Sequence, residues 1–391
     1  MKAVGLITEY NPFHNGHAYH AQQARQVTNA DVVVTVMSGN YVQRGEPAIF
    51  NKWRRTELAL AGGVDLVYEL PFVFAVQPAH IFAEGALTIL HDLGVREIVF
   101  GAEHAELDFM ALAKVAHKQL GDHADFKQDY RQTYATQFND VLETIIGFRL
   151  ENPNDLLGFA YANAAIALGW ADEMVLTPIQ RVKAGYHDAS LPGGHIASAT
   201  ALRSASEDVS AYVSPQAADW LSEGPETYAW SDKWFDLLKY KVLTTPVAQL
   251  ELIYQLNDGL AYRLKRLIET NPMVTWDDFQ ATFKSKRYTQ ARLQRTLLYT
   301  LLQITTEEMK QARPYLRLLG SNGKGRQYVK QQRESITLPT LNRVGKDDLT
   351  DLLQLDFRAG QLYQYCAQQT AYQSFSQDVR RQPIFYEETE S

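Results

Sequence analysis

The N-terminal half of the chain alternates two hydrophobic periods. Short, apolar, β-branched runs at 2–7, 31–37, 64–68, 97–100 and 174–179 predict strands. Their apolarity is continuous rather than alternating, which marks strands buried on both faces. Between them, helical spacing predicts helices at 16–28, 52–62, 79–93, 107–119, 136–147 and 155–168. That order of strands and helices makes a parallel sheet with right-handed crossovers. After Pro215 the strand signal fades. Helical spacing continues at 233–244, 246–257, 259–270, 276–283, 289–303 and 348–374, punctuated by Pro246, Pro272 and Pro314. The pattern predicts an α/β domain over 1–215 and a mainly α-helical C-terminal domain over 216–391, with an acidic, frayed tail from 382.

Composition narrows the class. The chain has 391 residues, 46% hydrophobic and 21% charged, as in an ordinary globular protein large enough for two domains. No run of 18 apolar residues predicts a membrane span, and the N-terminus lacks a basic segment with a cleavage site. The single cysteine, Cys366, excludes an intramolecular disulfide and a Cys-cluster zinc site; it reads as a small buried residue. These features predict a cytoplasmic location.

Charge is unevenly spread. Residues 1–210 carry 15 Lys and Arg against 24 Asp and Glu, a net of −9. Residues 284–333 carry 12 Lys and Arg against Glu307 and Glu308, a net of +10. A solvated helical face is one reading. The accompanying Tyr288, Tyr315, Tyr328 and the Gly-rich turn Gly320–Arg326 favour another, in which cations meet a nucleic-acid backbone and rings stack on bases.

The first strand leads into the segment richest in chemistry, Gly5-Leu-Ile-Thr-Glu-Tyr-Asn-Pro-Phe-His14-Asn-Gly-His17. In an open parallel sheet, ligands sit beyond the C-terminal ends of the strands. A helix N-terminus there offers free N–H groups and partial positive charge to phosphate. Gly16 lacks a Cβ and lets a nucleotide approach the backbone. His14 and His17 can donate to phosphoryl oxygens as charge builds in a transition state. A capping turn with exposed histidines is the plainer alternative. The placement favours nucleotidyl transfer, with attack on the α-phosphate of ATP and pyrophosphate leaving, a chemistry of positioning that needs no nucleophilic side chain.

Other segments fit a nucleotide. Ser38–Pro47 can wrap a ligand after the second strand. Lys52 and Arg55 read as phosphate or RNA contacts, while Arg54 either faces solvent or pairs with Glu46 or Glu57. Gly101 ends a strand over the ligand edge. Asn154 reads both as the N-cap before Asp155 and as an adenosine contact. Arg181 follows the last strand. Ser198 and Thr200 open a helix with Arg203 one turn on, an arrangement for phosphates or leaving pyrophosphate, or else a plain cap. His20, His80, His104, His187 and His195 show no metal-like pairing, and no metal site is predicted. Lys284-Ser-Lys-Arg287 superficially resembles the second lysine motif of aminoacyl-tRNA synthetases, but its position favours RNA contact.

Tyr10-Asn-Pro-Phe-His-Asn-Gly-His17 resembles the H-x-G-H signature of the nucleotidyltransferase superfamily. With Met37–Ala48, Glu69-Leu-Pro71, Phe100-Gly-Ala-Glu103, Pro153-Asn154, Tyr186-His-Asp188, Ala197–Thr200, Lys286-Arg-Tyr288 and Arg317–Gly320, the chain resembles the bacterial tRNA(Met) cytidine acetate ligases over roughly residues 1–330. The resemblance implies a Rossmann-like nucleotidyltransferase domain. It implies that ATP and acetate give acetyl-adenylate, and that the acetyl group passes to N4 of the wobble cytidine of elongator tRNA(Met). ATP contacts carry over to Ile7, Thr8, Glu9, Tyr10, Asn11, Pro12, Phe13, His14, Asn15, Gly16, His17, Ala18, Tyr19, His20, Gly101, Asn154 and Arg181. Ser198, Thr200 and Arg203 match the superfamily's phosphate motif, so His14, His17 and Arg203 become the catalytic candidates. A Mg²⁺ with few protein ligands is expected on the phosphates. Lys52, Arg55, Lys284, Lys286, Arg287, Arg292, Arg317, Lys324 and Arg326 are the expected tRNA contacts. A small-molecule nucleotidyltransferase of cofactor synthesis would not need the +10 segment. A non-enzymatic RNA-binding protein would not need His14, Gly16, His17 and Arg203 together.

Overall fold

The structure, a computed structural model, describes residues 1–120, 139, 143–144, 147–181, 195–205, 207–228, 230–285, 287–341, 344–345, 347–367 and 377–387. Most of the helix expected at 136–147, the Tyr186–Asp188 motif and Lys286 lie outside these residues.

Five parallel strands form the frame: β1 (Ala3–Thr8), β2 (Val32–Ser38), β3 (Leu66–Leu70), β4 (Glu97–Ala102) and β5 (Val175–Gln180). Their spatial order is β3-β2-β1-β4-β5, all parallel. The connecting helices are α1 (Asn15–Thr28), α2 (Lys52–Ala61), α3 (Phe72–Ala75), α4 (Ala79–Asp92), α5 (Phe109–Leu120) and α6 (Pro153–Ala167). Alternate strand residues serve opposite faces. Ala3, Val32, Val34 and Leu66 join α4 and α6 in one core, while Val4, Leu6, Val33 and Val67 join α1 and α2 in another. Chain order runs outward from β1 in both directions, so the sheet's switch point lies between β1 and β4, where ligand crevices form.

Beyond α7 (Ala199–Ser204) and α8 (Pro215–Ser222), the expected helices appear as α9 (Asp232–Thr244), α10 (Val247–Leu250), α11 (Leu260–Thr270), α12 (Trp276–Phe283) and α13 (Gln290–Leu302), and a further one, α14 (Thr306–Gln311), follows. Residues 251–257, expected to continue the helix begun at 246, turn instead. Trp234, Leu238, Leu264, Phe279 and Leu297 centre a separate core, into which α3 inserts Phe72 and Val73, with Val76 just beyond its end.

The expected loss of strands after Pro215 needs correction. β6 (Leu316–Ser321) returns to the sheet and pairs antiparallel with β3, and β7 (Thr340–Leu341) and β8 (Ile384–Phe385) then pair with β6. α15 (Gly323–Gln332) follows β6, and α16 (Gln354–Cys366) and α17 (Gln377–Arg380) close the described chain. The C-terminal part is therefore welded to the N-terminal sheet rather than appended after residue 215. Among the described residues, no helix is long and apolar enough to cross a membrane.

Candidate active site

β1 delivers the chain to the switch point, and α1 begins there. His14 is the N-cap of α1: its Nδ1 accepts the Gly16 N–H at 3.1 Å. His17 closes the reciprocal half of the capping box, its Nδ1 accepting the His14 N–H at 3.3 Å. The rings stack with centroids 3.7 Å apart. Because both Nδ1 atoms are acceptors, the neutral tautomer of each carries its proton on Nε2. Burial, reinforced by Arg181 and Arg203, pushes His14 down to about 3. Burial, with His14, His20 and Arg181, holds His17 well below its ordinary value. The capping turn is thus real, but its histidines are neutral, fixed Nε2–H donors rather than exposed cations. Gly16 serves this turn directly: a Cβ there would sit 2.9 Å from His14 Cε1 and 3.3 Å from Ile196, so the space expected for a nucleotide is filled by the histidine ring.

The loop before α1 is held from several sides. Asn11 Oδ1 accepts the Ile49 N–H at 2.9 Å. Arg203 Nη1 donates to the Asn11 carbonyl at 2.6 Å, and its Nη2 to Thr200 Oγ1 at 3.3 Å. Asn15 Nδ2 bonds the His195 and Ala211 carbonyls, both at 3.1 Å. Thr8 Oγ1 meets Thr35 Oγ1 at 2.9 Å at the end of β1. Tyr10, Pro12 and Phe13 are buried, and Tyr10 and Phe13 belong to the core beneath the loop; the chemistry they offer a ligand is backbone placement. His20 continues the histidine ridge one turn on, pushed down to about 4 by burial, and its Nε2 is buried without a partner. Ala18 and Tyr19 instead line an open groove along α1 with Gln22, Arg25 and Lys324.

Across the switch point, Gly101, Asn154 and Arg181 come together. A Cβ at Gly101 would touch Arg181 Cγ at 3.2 Å. Arg181 Nη1 donates to Asn154 Oδ1 at 3.2 Å, and Asn154 Nδ2 donates to Glu103 Oε1 at 2.5 Å. Asn154 is not the cap: Asn152 holds that position, and Asn154 sits in the first turn of α6 with its amide free to bridge Glu103 and Arg181. Sequence reasoning gave Glu103 no role. Its signal was an acid two residues past Gly101 at a strand end beside an arginine. Ser198 does cap α7, accepting the Ala201 N–H at 3.0 Å.

Three expected RNA contacts are internal. Lys52, Arg55 and Arg317 are 2%, 0% and 3% exposed. Lys52 Nζ lies 2.6 Å from Glu69 and 2.5 Å from Asp378. Arg317 Nη1 lies 3.1 Å from Glu69 and 2.9 Å from Asp378. Arg55 spends its guanidinium on the carbonyls of Phe50 (3.0 Å), Glu9 (2.5 Å), Ser38 (3.1 Å) and Gly39, tying together the loops after β1 and β2. Arg54 is also buried, paired with Glu226 at 3.2 Å and stacked on Trp220. Tyr315 and Tyr328 are core residues at 1% exposure and cannot stack on bases.

The remaining basic residues divide between two edges of the sheet. β6 runs antiparallel to β3, with Ser321 opposite Leu66 at the start of β3. The Gly-rich turn with Lys324 and Arg326 therefore lies at the edge opposite the histidines, roughly 20 Å away at ~3.3 Å per strand residue. Its Gly325 permits close packing, since a Cβ there would collide with the Asp65 carbonyl. Arg292 lies near the start of α13, which packs on the loop after β2 at the histidine edge through Gln294–Glu46 (3.0 Å) and Arg295–Gly45 contacts. Lys284 and the exposed Arg287 lie just before that helix.

Residues 1–378 match the model of the HIGH Nucleotidyl Transferase family. The tRNA(Met) cytidine acetate ligase of Leuconostoc citreum is 48% identical over 99% of this chain and 98% of its own length. The protein of that name from Limosilactobacillus reuteri is 43% identical over 98% of this chain and 99% of its own. Among solved structures, Thermotoga maritima TmcAL bound with alpha-thio ATP superposes with a TM-score of 0.84 at 28% identity, covering 99% of this chain and all of that one. With the paired histidines at the switch point and near full-length similarity on every side, the chain belongs to the tRNA(Met) cytidine acetate ligase family of HIGH nucleotidyl transferases.

Proposed function

We propose that the chain activates acetate with ATP and transfers the acetyl group to N4 of the wobble cytidine (C34) of elongator tRNA(Met). The products are N4-acetylcytidine, AMP and diphosphate. The observation that carries this reading is the pair of neutral imidazoles fixed by their own capping box at the switch point, beside Arg181 and Arg203. In the first step an acetate oxygen attacks the α-phosphorus, and the bond to the β,γ-diphosphate breaks. The Nε2–H groups of His14 and His17, the α1 N-terminus and Arg203 stabilise the charge that builds on the phosphates. Asn154 and Arg181, oriented by Glu103, hold the nucleoside side. In the second step N4 attacks the acyl carbon, AMP leaves, and N4 loses one proton. The N4 lone pair is conjugated with the ring, so positioning carries the step; effective molarities on the order of 10⁵ M or more are available to oriented reactants.

Among the described residues, no group of three or more His, Cys, Asp or Glu side chains is placed to hold a metal. A Mg²⁺ carried on the triphosphate would neutralise phosphate oxygens. A reaction that needs both ATP and tRNA belongs in the cytoplasm. RNA contact is assigned to Lys284, Lys286, Arg287 and Arg292.

The test is incubation with labelled acetate, ATP and bulk tRNA. ATP-dependent label in tRNA supports the reading. Absence of label, with diphosphate released on nicotinamide mononucleotide or phosphopantetheine instead, refutes it in favour of a cofactor nucleotidyltransferase. His17→Ala abolishes acetate-dependent ATP–diphosphate exchange while retaining tRNA binding; retained exchange removes His17 from the chemistry.

A further inference from the structure

Behind the Asn154–Arg181 pair stands a carboxylate that the adenylation step does not use. Asp155, the next residue of α6, is 0% exposed. Its Oδ1 accepts the Glu103 N–H at 2.9 Å and the His104 N–H at 3.0 Å. Its Oδ2 lies 2.7 Å from His104 Nδ1. A carboxylate taken out of water needs such partners. Here two of them are backbone donors of one loop, the loop that follows β4 at the switch point.

Glu103 returns the contact. Its Oε2 accepts the Asp155 N–H at 3.2 Å, while its Oε1 accepts Asn154 Nδ2. Glu103 thereby serves the first turn of α6, where Asn152 supplies no side-chain cap. The two carboxylates reach in opposite directions, each bonding the other's backbone. Gln180 Nε2, at the end of β5, adds a tie by donating to the Glu103 carbonyl at 3.0 Å. These bonds set the direction in which Glu103 leaves the chain. Its Oε1 also lies 3.8 Å from Arg181 Nε. A shift of the 103–104 peptide therefore moves Glu103, then Asn154, then the guanidinium of Arg181. His104 is the outer member of this set, its side chain 37% exposed. The hydrogen bond to Asp155 raises its pKa against burial, with the charges of Asp155, Glu106 and Glu103 adding to the rise. Facing a carboxylate, Nδ1 carries a proton in the neutral and the charged ring alike.

We propose that Asp155 and His104 are positioning residues of the nucleotide site: Asp155 fixes the Glu103 backbone, and through Glu103 the Asn154–Arg181 pair, while His104 holds the second oxygen of Asp155 in place. This deepens the ATP-activation reading and rests on it. The pair acts on the nucleoside side alone. The phosphate side, with His14, His17 and Arg203, is held by its own bonds.

The experiment measures acetate-dependent ATP–diphosphate exchange with ATP and acetate varied in turn, and calorimetric binding of α,β-methylene ATP. It compares the full chain with Asp155→Ala, Asp155→Asn, His104→Ala and His104→Asn, all checked by thermal melting. Asp155→Ala raises the KM for ATP and the Kd of the analogue about tenfold, with kcat and the KM for acetate within about twofold of the wild type. Asp155→Asn keeps an acceptor for the two N–H groups and recovers most of that loss. His104→Ala raises the KM for ATP about threefold, and His104→Asn, which keeps a donor at the δ position, restores it. If Asp155→Ala does not fold, the two His104 variants decide alone. An unchanged KM for ATP overturns the proposal. So does an equal loss in kcat and both KM values, which marks a role in the fold only, or a failure of the asparagine variants to rescue. A wild type that binds the analogue without acetate-dependent exchange refutes the acetate-activation reading instead, and the analogue Kd values still test the positioning pair.

Discussion

Acid titration tests the charge state of the histidines. Burial, with Arg181 and Arg203, pushes His14 from 6.5 to about 3. Its folded pKa lies below its unfolded one, so the unfolded chain binds the extra proton as pH falls. The stability from the neutral state is intact above pH 6.5 and is lost progressively toward pH 3. At pH 5 an unfolded histidine is about 97% protonated and the folded His14 about 1%, which amounts to about 2 kcal/mol for this residue alone. His17 is shifted the same way and His20 falls to about 4, so unfolding in mild acid takes up more than one proton. The assay is urea unfolding followed by tryptophan fluorescence from pH 7.5 to 5, for the wild type and His14→Asn. Asparagine keeps a capping acceptor but does not titrate. The wild type loses about 2 kcal/mol more than the variant over that interval. Equal losses refute the reasoning, as does a ¹⁵N NMR titration in which folded His14 protonates near 6.5.

Asn154→Ala removes the acceptor that orients Arg181 Nη1 and raises the KM for ATP in acetate-dependent exchange several-fold more than it lowers kcat; equal effects on both would place Asn154 in the transition state instead. Arg317→Met leaves Glu69 and Asp378 short of a buried cation and costs ~3–5 kcal/mol in urea unfolding, whereas Arg317→Met/Asp378→Leu recovers most of it. A single variant no less stable than the double would show that the ion cluster does not hold β6 to the sheet.

The parallel sheet was legible because its strands are buried on both faces and read as continuous apolar runs, each within two residues of its observed start. The helices α9, α11, α12 and α13 were legible by period, while the short α14 and the α15 that follows β6 were not. β6 was not, because its pairing with β3 spans some 250 residues of chain and its Arg317 reads as a surface cation. Local sequence cannot reveal that an arginine has two carboxylates waiting in the interior. The same blindness misplaced Lys52 and Arg55, whose partners lie on β3, α17 and loop carbonyls. The histidine motif was legible in place and kind. The capping box that fixes its tautomer was not, since it depends on which ring nitrogen meets which N–H.

The buried cations explain how the two halves of the chain act at one edge. Lys52 and Arg55 stand one turn apart on α2. Lys52 reaches Glu69 of β3 and Asp378 of α17, in the same cluster as Arg317 of β6. Gly360 of α16 admits Asp378 so closely that a Cβ there would collide with its Oδ2. Arg55 fixes the carbonyl ends of β1 and β2, from which the histidine loop and the Arg44 loop depart. A displacement of the C-terminal elements must therefore move the first turn of α2, and with it both loops. In a reaction whose second step depends on bringing a weak nucleophile to an acyl carbon, the distance between the surface that grips RNA and the site that makes the adenylate has to be rigid. The first turn of α2 contributes to that rigidity, because both of its cations are buried and bonded, Lys52 to carboxylates and Arg55 to loop carbonyls.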